Sequence, residues 1–244
     1  GLIAYRIAKG LNIDAIIYDA VSTDELQDIA RISGVKEIER KSLIHALNMR
    51  ASAIKVSKDM GRDYRKLNLI VAHLGGGLSL SIHSGGKMID VVTDFEGAFS
   101  PERSGVLPSE IFADFCYKND KDMVKKMLRG KGGLISYLGT SDAREVERMI
   151  ENGDEYAKLI YEALAYQVAK SIGGLAPVVD GLIDAIIITG GMAYSELLTG
   201  WIEKRTRFIA PVIMVPGENE LEALANGGLR VLKGEEQARR FSEN

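Results

Sequence analysis

Residues 69–90 read LIVAHLGGGLSLSIHSGGKMID: an apolar run ending near a histidine, three glycines, a run alternating apolar and polar residues, two more glycines and a last apolar run. The periodicity predicts three consecutive strands, about Leu67–His73, Gly77–His83 and Lys87–Val92. In SGGK (Ser84–Lys87) two adjacent glycines supply the positive φ angles of a primed turn, so the second and third strands form a tight hairpin. The first junction differs. A two-residue turn needs one or two glycines, and Gly75, Gly76 and Gly77 are three. Backbone without Cβ atoms approaches a ligand closely and turns amides inward as a nest for phosphate oxygens. The other reading is a bulged turn with no ligand.

Downstream, SPERSGVLPSE is a loop of turn formers, followed by short helices to about Gly130 and a glycine-rich corner, RGKGGLISYLGTSD. Two helices follow, Ala143–Asn152 and Asp154–Val179. DAIIITGGMAYSELL then reads strand, glycine pair, helix, and APVIMVPGENELEALANGGLRVL reads strand, turn, helix. Three strands followed by βα units do not alternate as a dinucleotide-binding domain does. They predict an α/β fold on one mixed sheet, a β-meander with a parallel extension. Upstream, Leu2–Lys9 predicts an amphipathic helix and Asp14–Ala20 (DAIIYDA) a strand apolar on both faces, which wants neighbours on each side. A helix is expected over DELQDIARI up to Gly34, and a long one from about Lys41 to Met60.

The chain of 244 residues, 46% apolar and 27% charged, can bury a sizeable core in one large domain or two small ones. Its net charge of −3, with both signs mixed along the chain, argues against nucleic acid or an anionic membrane surface as a partner. No apolar run reaches the ~18 to 20 residues of a membrane-spanning helix, and the first residues lack the pattern of a signal peptide. With a single cysteine, Cys116, read as core on an apolar helix face, a reducing, cytoplasmic setting is expected.

Several residues stand out chemically. Gly190 and Gly191, between an apolar strand and a helix, sit where a nucleotide commonly meets backbone; tight packing of strand end on helix start is the plainer reading. Arg103, in SPERSG, has no partner one helical turn away, so its guanidinium faces a ligand or pairs with Glu102 or Asp90. Asp19, Asp90 and Glu220 lie at strand or turn ends, where an oxygen meets Mg²⁺ carried by a nucleotide. Asp19 as a turn cap and Glu220 as a first-turn helix acid are the alternatives.

Together, DELQDIARISG, IERKSLIHALN, LNLIVAHLGGGLS, FSPERSGVLP, SYLGTSDAREVE, DAIIITGGMAYS and FIAPVIMVPGENELEALANGGLRVLKGEE resemble the acetokinase family, the acetate and butyrate kinases of the actin, sugar-kinase and Hsp70 superfamily. The resemblance runs over nearly the whole chain. It implies a ribonuclease-H-like, actin-like ATPase domain that uses ATP/ADP and Mg²⁺ to phosphorylate butyrate or another short or branched carboxylate. By motif, Arg103 would stabilise the phosphoryl group in flight, His45 would donate to its oxygens, Asp19 would organise the metal and Glu220 would hold Mg²⁺. His73 with Gly75, Gly76 and Gly77 would form the phosphate hairpin, and Gly190, Gly191 and Met192 would line the adenosine pocket. The family habit also implies a homodimer, with the Tyr161–Val179 helix either its surface or buried inside the subunit.

The sequence departs from the family in two places. The Gly/Ser/Thr-rich strand turn that opens the family's N-terminal domain is not seen, so residues 1–20 read as the last helix and strand of that domain, 21–233 as the C-terminal nucleotide-binding domain and 234–244 as a charged, solvated tail. Little turnover is expected from this chain alone. The loop Val91–Ala98 is shorter and less acidic than the family's. The alternative function is a non-catalytic nucleotide-binding or assembly module; a sugar or glycerol kinase fits less well, because such enzymes need a carboxylate base.

Overall fold

A strand apolar on both faces needs a layer on each side, and the central sheet of this chain has both. In the computed structural model, which describes residues 1–218 and 220–238, β1 (Leu69–Leu74), β2 (Leu78–Ser84) and β3 (Lys87–Val92) make the meander. With β4 (Ala185–Gly190) and β5 (Val212–Pro216) they form one sheet of order β3-β2-β1-β4-β5. The meander pairs are antiparallel, and β1–β4 and β4–β5 are parallel, as expected. Gly85 and Gly86 have φ of 60° and 80°, the primed turn that joins β2 to β3.

The helices are α1 (Leu2–Leu11), α2 (Asp28–Arg31), α3 (Ala46–Asp59), α4 (Ser109–Lys118), α5 (Lys121–Leu128), α6 (Gly133–Leu138), α7 (Ala143–Glu151), α8 (Glu155–Leu175), α9 (Glu196–Thr206) and α10 (Glu220–Leu232). On one sheet face Ile70, Ala72 and Leu74, Leu78, Leu80 and Ile82, and Ile186 and Ile188 pack with residues of α6 to α9. Tyr161, Leu164, Val168 and Ile172 of α8 are buried in this layer, so that helix spends its apolar face inside the chain. The opposite face packs under Met49, Ala53 and Val56 of α3 through Leu69, Val71, Ala185 and Ile187. By strand alternation it also carries His73, Ser79, Ser81, His83 and Thr189, each 1% exposed or less. The alternating LSLSIHS run therefore turns its polar side to a helix, not to water.

Upstream of α3 the structure corrects the sequence. Asp14–Ala20 forms no strand and pairs with neither sheet edge. Tyr18 docks instead: its ring lies where a Cβ on Gly227 would come within 2.7 Å, and its hydroxyl donates to Glu236 at 2.7 Å and accepts from Arg230 at 2.6 Å. The start of the expected solvated tail is thus anchored through Glu236, and residues 239–244 of it lie outside the described residues. The helix expected over DELQDIARI shrinks to α2. Asp24 caps the Leu26 amide at 3.1 Å and grips Arg31 with both oxygens, a local structure that competes with a helix start. The long helix begins at Ala46, five residues later than expected. Cys116 is half-buried, on a helix with no buried residue, and is not core. Among the described residues no helix is long and apolar enough to cross a membrane.

Two glycines that look alike in sequence differ in packing. Gly190 has φ of 91°, and a Cβ there would sit 2.4 Å from the Leu74 carbonyl oxygen; at Gly191 nothing lies within 4 Å. Gly190→Ala is expected to lower the urea-unfolding free energy by about 3 kcal/mol or more and Gly191→Ala by less than about 1. Equal losses would contradict this packing.

His83 is buried between Tyr64 Oη and Ser81 Oγ, each at 2.7 Å. Burial, reinforced by Arg50, pushes its pKa down to about 3. The folded chain keeps this ring neutral while the unfolded chain takes up a proton below about 6.5, so the contribution is full above 6.5 and fades as pH falls. Between pH 7.5 and 5.5 the wild type is expected to lose about 1.4 kcal/mol more stability than His83→Asn; equal losses would show that His83 is not held neutral.

Candidate active site

The C-terminal ends of the parallel strands β1, β4 and β5 meet the start of β2 at one end of the sheet, where ligands of open α/β sheets bind. The triple glycine closes β1 onto β2 there. None of the three has a positive φ, so the backbone does not need them for conformation. It needs them for clearance. A Cβ on Gly77 would lie 2.3 Å from Arg103 Nη1, and one on Gly75 would lie 3.0 Å from His73 Nε2 and 3.2 Å from Glu218 Oε1. Gly75 N–H donates to Gly77 O at 3.1 Å, which tightens the turn.

Arg103 is positioned from three sides. Its amide donates to Ser100 Oγ at 3.1 Å, and Ser100 Oγ donates to Gly76 O at 2.7 Å, stitching SPERSG to the hairpin. Its guanidinium Nη1 donates to Asp94, a partner that sequence reading did not name. Asp90 is taken by Arg40 at 3.1 Å, and Arg40 also holds Glu96 at 2.7 Å, which fixes the loop that presents Asp94. Arg103 Nε and Asp94 Oδ1 are buried with no hydrogen-bond partner. Asp19 Oδ2, on the buried Arg50–Asp19 pair, is without a hydrogen bond in the same way, and at the hairpin the two free atoms leave hydrogen-bonding capacity for a further polar group.

His45 is the N-cap residue of α3, not a mid-helix residue. Its Nδ1 is 2.9 Å from Ser79 Oγ, and its ring stacks on His73 with centroids 4.0 Å apart and planes 15° apart. Burial pushes His73 down to about 3, with His45 adding to the effect. Burial also lowers His45, opposed by the charges of Asp94, Glu218 and Glu220 and reinforced by Arg103. Two imidazolium rings this close would repel. Burial thus disfavours charge on both rings, beside the guanidinium of Arg103.

Next to the hairpin an open pocket of about 660 Å³ is lined by Gly75, Gly76, Gly191 and Met192 together with Ser141, Asp142, Arg144, Glu147, Tyr194 and Glu218, a size suited to a small-molecule ligand. Gly190 is not in the lining; it serves the strand crossing. Asp142 caps α7 through the Arg144 amide at 2.9 Å and pairs with the Arg144 guanidinium at 3.0 and 2.9 Å, which holds the carboxyl down at about 2. Glu147 accepts from Tyr161 Oη at 3.0 Å and from Ser195 Oγ. Asp142, Arg144 and Glu147 all lie in the SYLGTSDAREVE stretch quoted above. A smaller cavity of about 280 Å³ between α3 and α10 includes Tyr18, Lys55 and Arg230, and neither Arg103 nor the hairpin lines it.

Asp19 does not join this cluster. It has φ of 42° and is held by Arg50 Nε at 2.9 Å, and Arg50 also donates to Gly86 O at 2.9 Å and to Glu25 at 2.8 Å. Gly86 lies at the other end of β2, about 20 Å along the strand from the glycine hairpin. Burial raises the Asp19 pKa, with Arg50 opposing. Glu220 is exposed in the first turn of α10, close enough for its charge, with that of Glu218, to act on His45. Among the described residues no group of three or more His, Cys, Asp or Glu side chains could hold a metal alone.

A sequence profile of the acetokinase family matches residues 34–197. Butyrate kinase 2 of Clostridium acetobutylicum is 50% identical over 245 residues, covering 99% of this chain and 69% of that protein. The acetate kinase of Porphyromonas gingivalis superposes with a TM-score of 0.76 at 21% identity, over 84% of this chain and 61% of that one. The propionate kinase of Francisella tularensis gives 0.73 at 21%, over 82% and 60%. The chain thus spans about three fifths of these two solved proteins, and the likeness shows the actin-like ATPase fold that the sequence implied. By profile and by sequence identity, the chain belongs to the acetokinase family.

Proposed function

We propose that this end of the sheet belongs to a carboxylate kinase that transfers the γ-phosphoryl group of ATP to a short-chain acid, with butyrate the first candidate because of the 50% identical relative. A carboxylate oxygen forms the bond to phosphorus as the bond to the ADP oxygen breaks, leaving an acyl phosphate and ADP. The acceptor is already an anion. No base is required, and the protein's task is to align two anions and neutralise charge on the group between them.

The observation that carries this reading is Arg103, laid against Gly77 and clamped by Asp94, with two neutral stacked imidazoles at the same hairpin and a nucleotide-sized pocket beside it. A fixed guanidinium stabilises charge on a transferring phosphoryl group without reorganising at the moment of reaction. His45 adds a neutral donor. A binding module would not need a buried cation clamped beside the phosphate turn. Mg²⁺ would fit as an ion held mainly by nucleotide phosphates with one or two protein carboxylates; Glu218, in the pocket lining, and Glu220, whose charge acts with it on His45, would be those carboxylates. When bound it would neutralise phosphate charge. The single cysteine and the mixed surface charge suit a cytoplasmic enzyme with no nucleic-acid partner.

With the protein as its cells make it, Mg-ATP and butyrate in the presence of hydroxylamine are expected to yield the acyl hydroxamate. Arg103→Ala is expected to lower that rate on the order of 10³-fold and to leave ADP affinity little changed. A variant that kept the full rate would remove Arg103 from the chemistry.

A further inference from the structure

The expected role of His73 beside the glycines is that of a phosphate contact, and the hydrogen bonds behind it point elsewhere. The carbonyl of Gly217 can only accept. Asn48 of α3 lies 3.2 Å from it through Nδ2, so the amide NH₂ is directed there and Oδ1 faces the other way. Oδ1 accepts from Thr189 Oγ1 at 3.1 Å and meets His73 Nδ1 at 2.9 Å. Turning the amide over would set two oxygens 3.2 Å apart with no proton between them. A carboxamide oxygen cannot donate, so the proton between Asn48 and His73 belongs to His73 Nδ1. Nε2 is buried beside the stacked His45 ring, with centroids 4.0 Å apart, and has no hydrogen-bond partner to receive a second proton, so the ring carries only the one on Nδ1.

Its Nε2 is then a bare lone pair, buried in a residue 1% exposed, and it makes no hydrogen bond. Glu218 Oε1 lies 3.3 Å away and forms no hydrogen bond with it. Gly75 keeps the approach clear, since a Cβ there would come within 3.0 Å. His45 is held differently: Ser79 Oγ accepts from the His45 amide at 3.3 Å, lies 2.9 Å from His45 Nδ1 and has Met49 Sδ at 3.5 Å as its other partner.

Resting on the reading of this site as a phosphoryl-transfer centre, we infer that Asn48 is a positioning residue that holds His73 as the Nδ1–H tautomer, so that His73 accepts from an O–H donor at the hairpin instead of donating to phosphate. Ionised phosphate oxygens offer it nothing. A sugar hydroxyl or a metal-bound water does.

The chain has three histidines, His45, His73 and His83, so a side-chain ¹⁵N–¹H correlation spectrum of histidine-labelled protein at pH 7 resolves three rings, assigned by single replacement. The wild type is expected to show His73 neutral with its proton on Nδ1. Asn48→Ala is expected to move that proton toward Nε2, and Asn48→Asp, which still accepts from Nδ1, to keep it. A wild-type His73 that is Nε2–H or doubly protonated overturns the proposal, whatever the variants do. Adding ADP with EDTA and then ADP with Mg²⁺ identifies the donor: a His73 Nε2 shift in both marks a sugar hydroxyl, and a shift with Mg²⁺ alone marks metal-bound water. Silence in both while the amides of Gly75–Gly77 move overturns the acceptor role. Unmoved glycine amides would count against the nucleotide site itself and leave the tautomer result standing.

Discussion

Burying His73, Ser79 and Thr189 on one face of the sheet obliges whatever covers them to supply hydrogen-bond partners, because each unmet group would cost about 1–3 kcal/mol. Helix α3 meets that demand with His45, Asn48 and Ser52. A purely apolar helix face could slide on the sheet. This one is pinned in register, and the pinning sets the start of α3 over the glycine hairpin, where His45 stacks on His73. The position of the helix and the chemistry of the site thus follow from the same few bonds.

Charge is arranged with similar economy. Arg103, the cation laid against Gly77, is tied to a buried carboxylate in a loop that Arg40 holds in turn, so its direction is set before any ligand arrives. Burial opposes protonation of both imidazoles beside it, with His45 adding to the effect at His73 and Arg103 at His45. Neutral rings can divide the work of donor and acceptor. Charged rings would only add to a cation already in place, at the cost of desolvating two more charges.

Much of this was legible in the chain. Strand periodicity marked out the meander and its parallel extension, the glycine doublet the primed turn, and the triplet a place where a ligand was expected to approach closely. What the triplet could not say was what lies against it: Arg103 arrives from a loop more than twenty residues away, and its anchor Asp94 sits in the loop after β3. Asn48 gives no local sign of its role, since the bonds that define it come from strands β1 and β4 and from Gly217. Asp14–Ala20 has a strand's composition, but a ladder needs a partner, and Tyr18 found Gly227 instead. Gly190 and Gly191 look interchangeable until the Leu74 carbonyl is placed beside one of them.

The most direct test of the account follows the acceptor's oxygen. Butyrate labelled with ¹⁸O at its carboxylate, incubated with Mg-ATP and the protein as its cells make it, should give an acyl phosphate whose ³¹P resonance carries the isotope shift of a bridging ¹⁸O. That result is the one predicted for a site that aligns a carboxylate against the γ-phosphorus beside Arg103. ADP and inorganic phosphate with no ¹⁸O-shifted acyl phosphate would mean that water, and not a carboxylate, meets the phosphoryl group there, and would contradict the account.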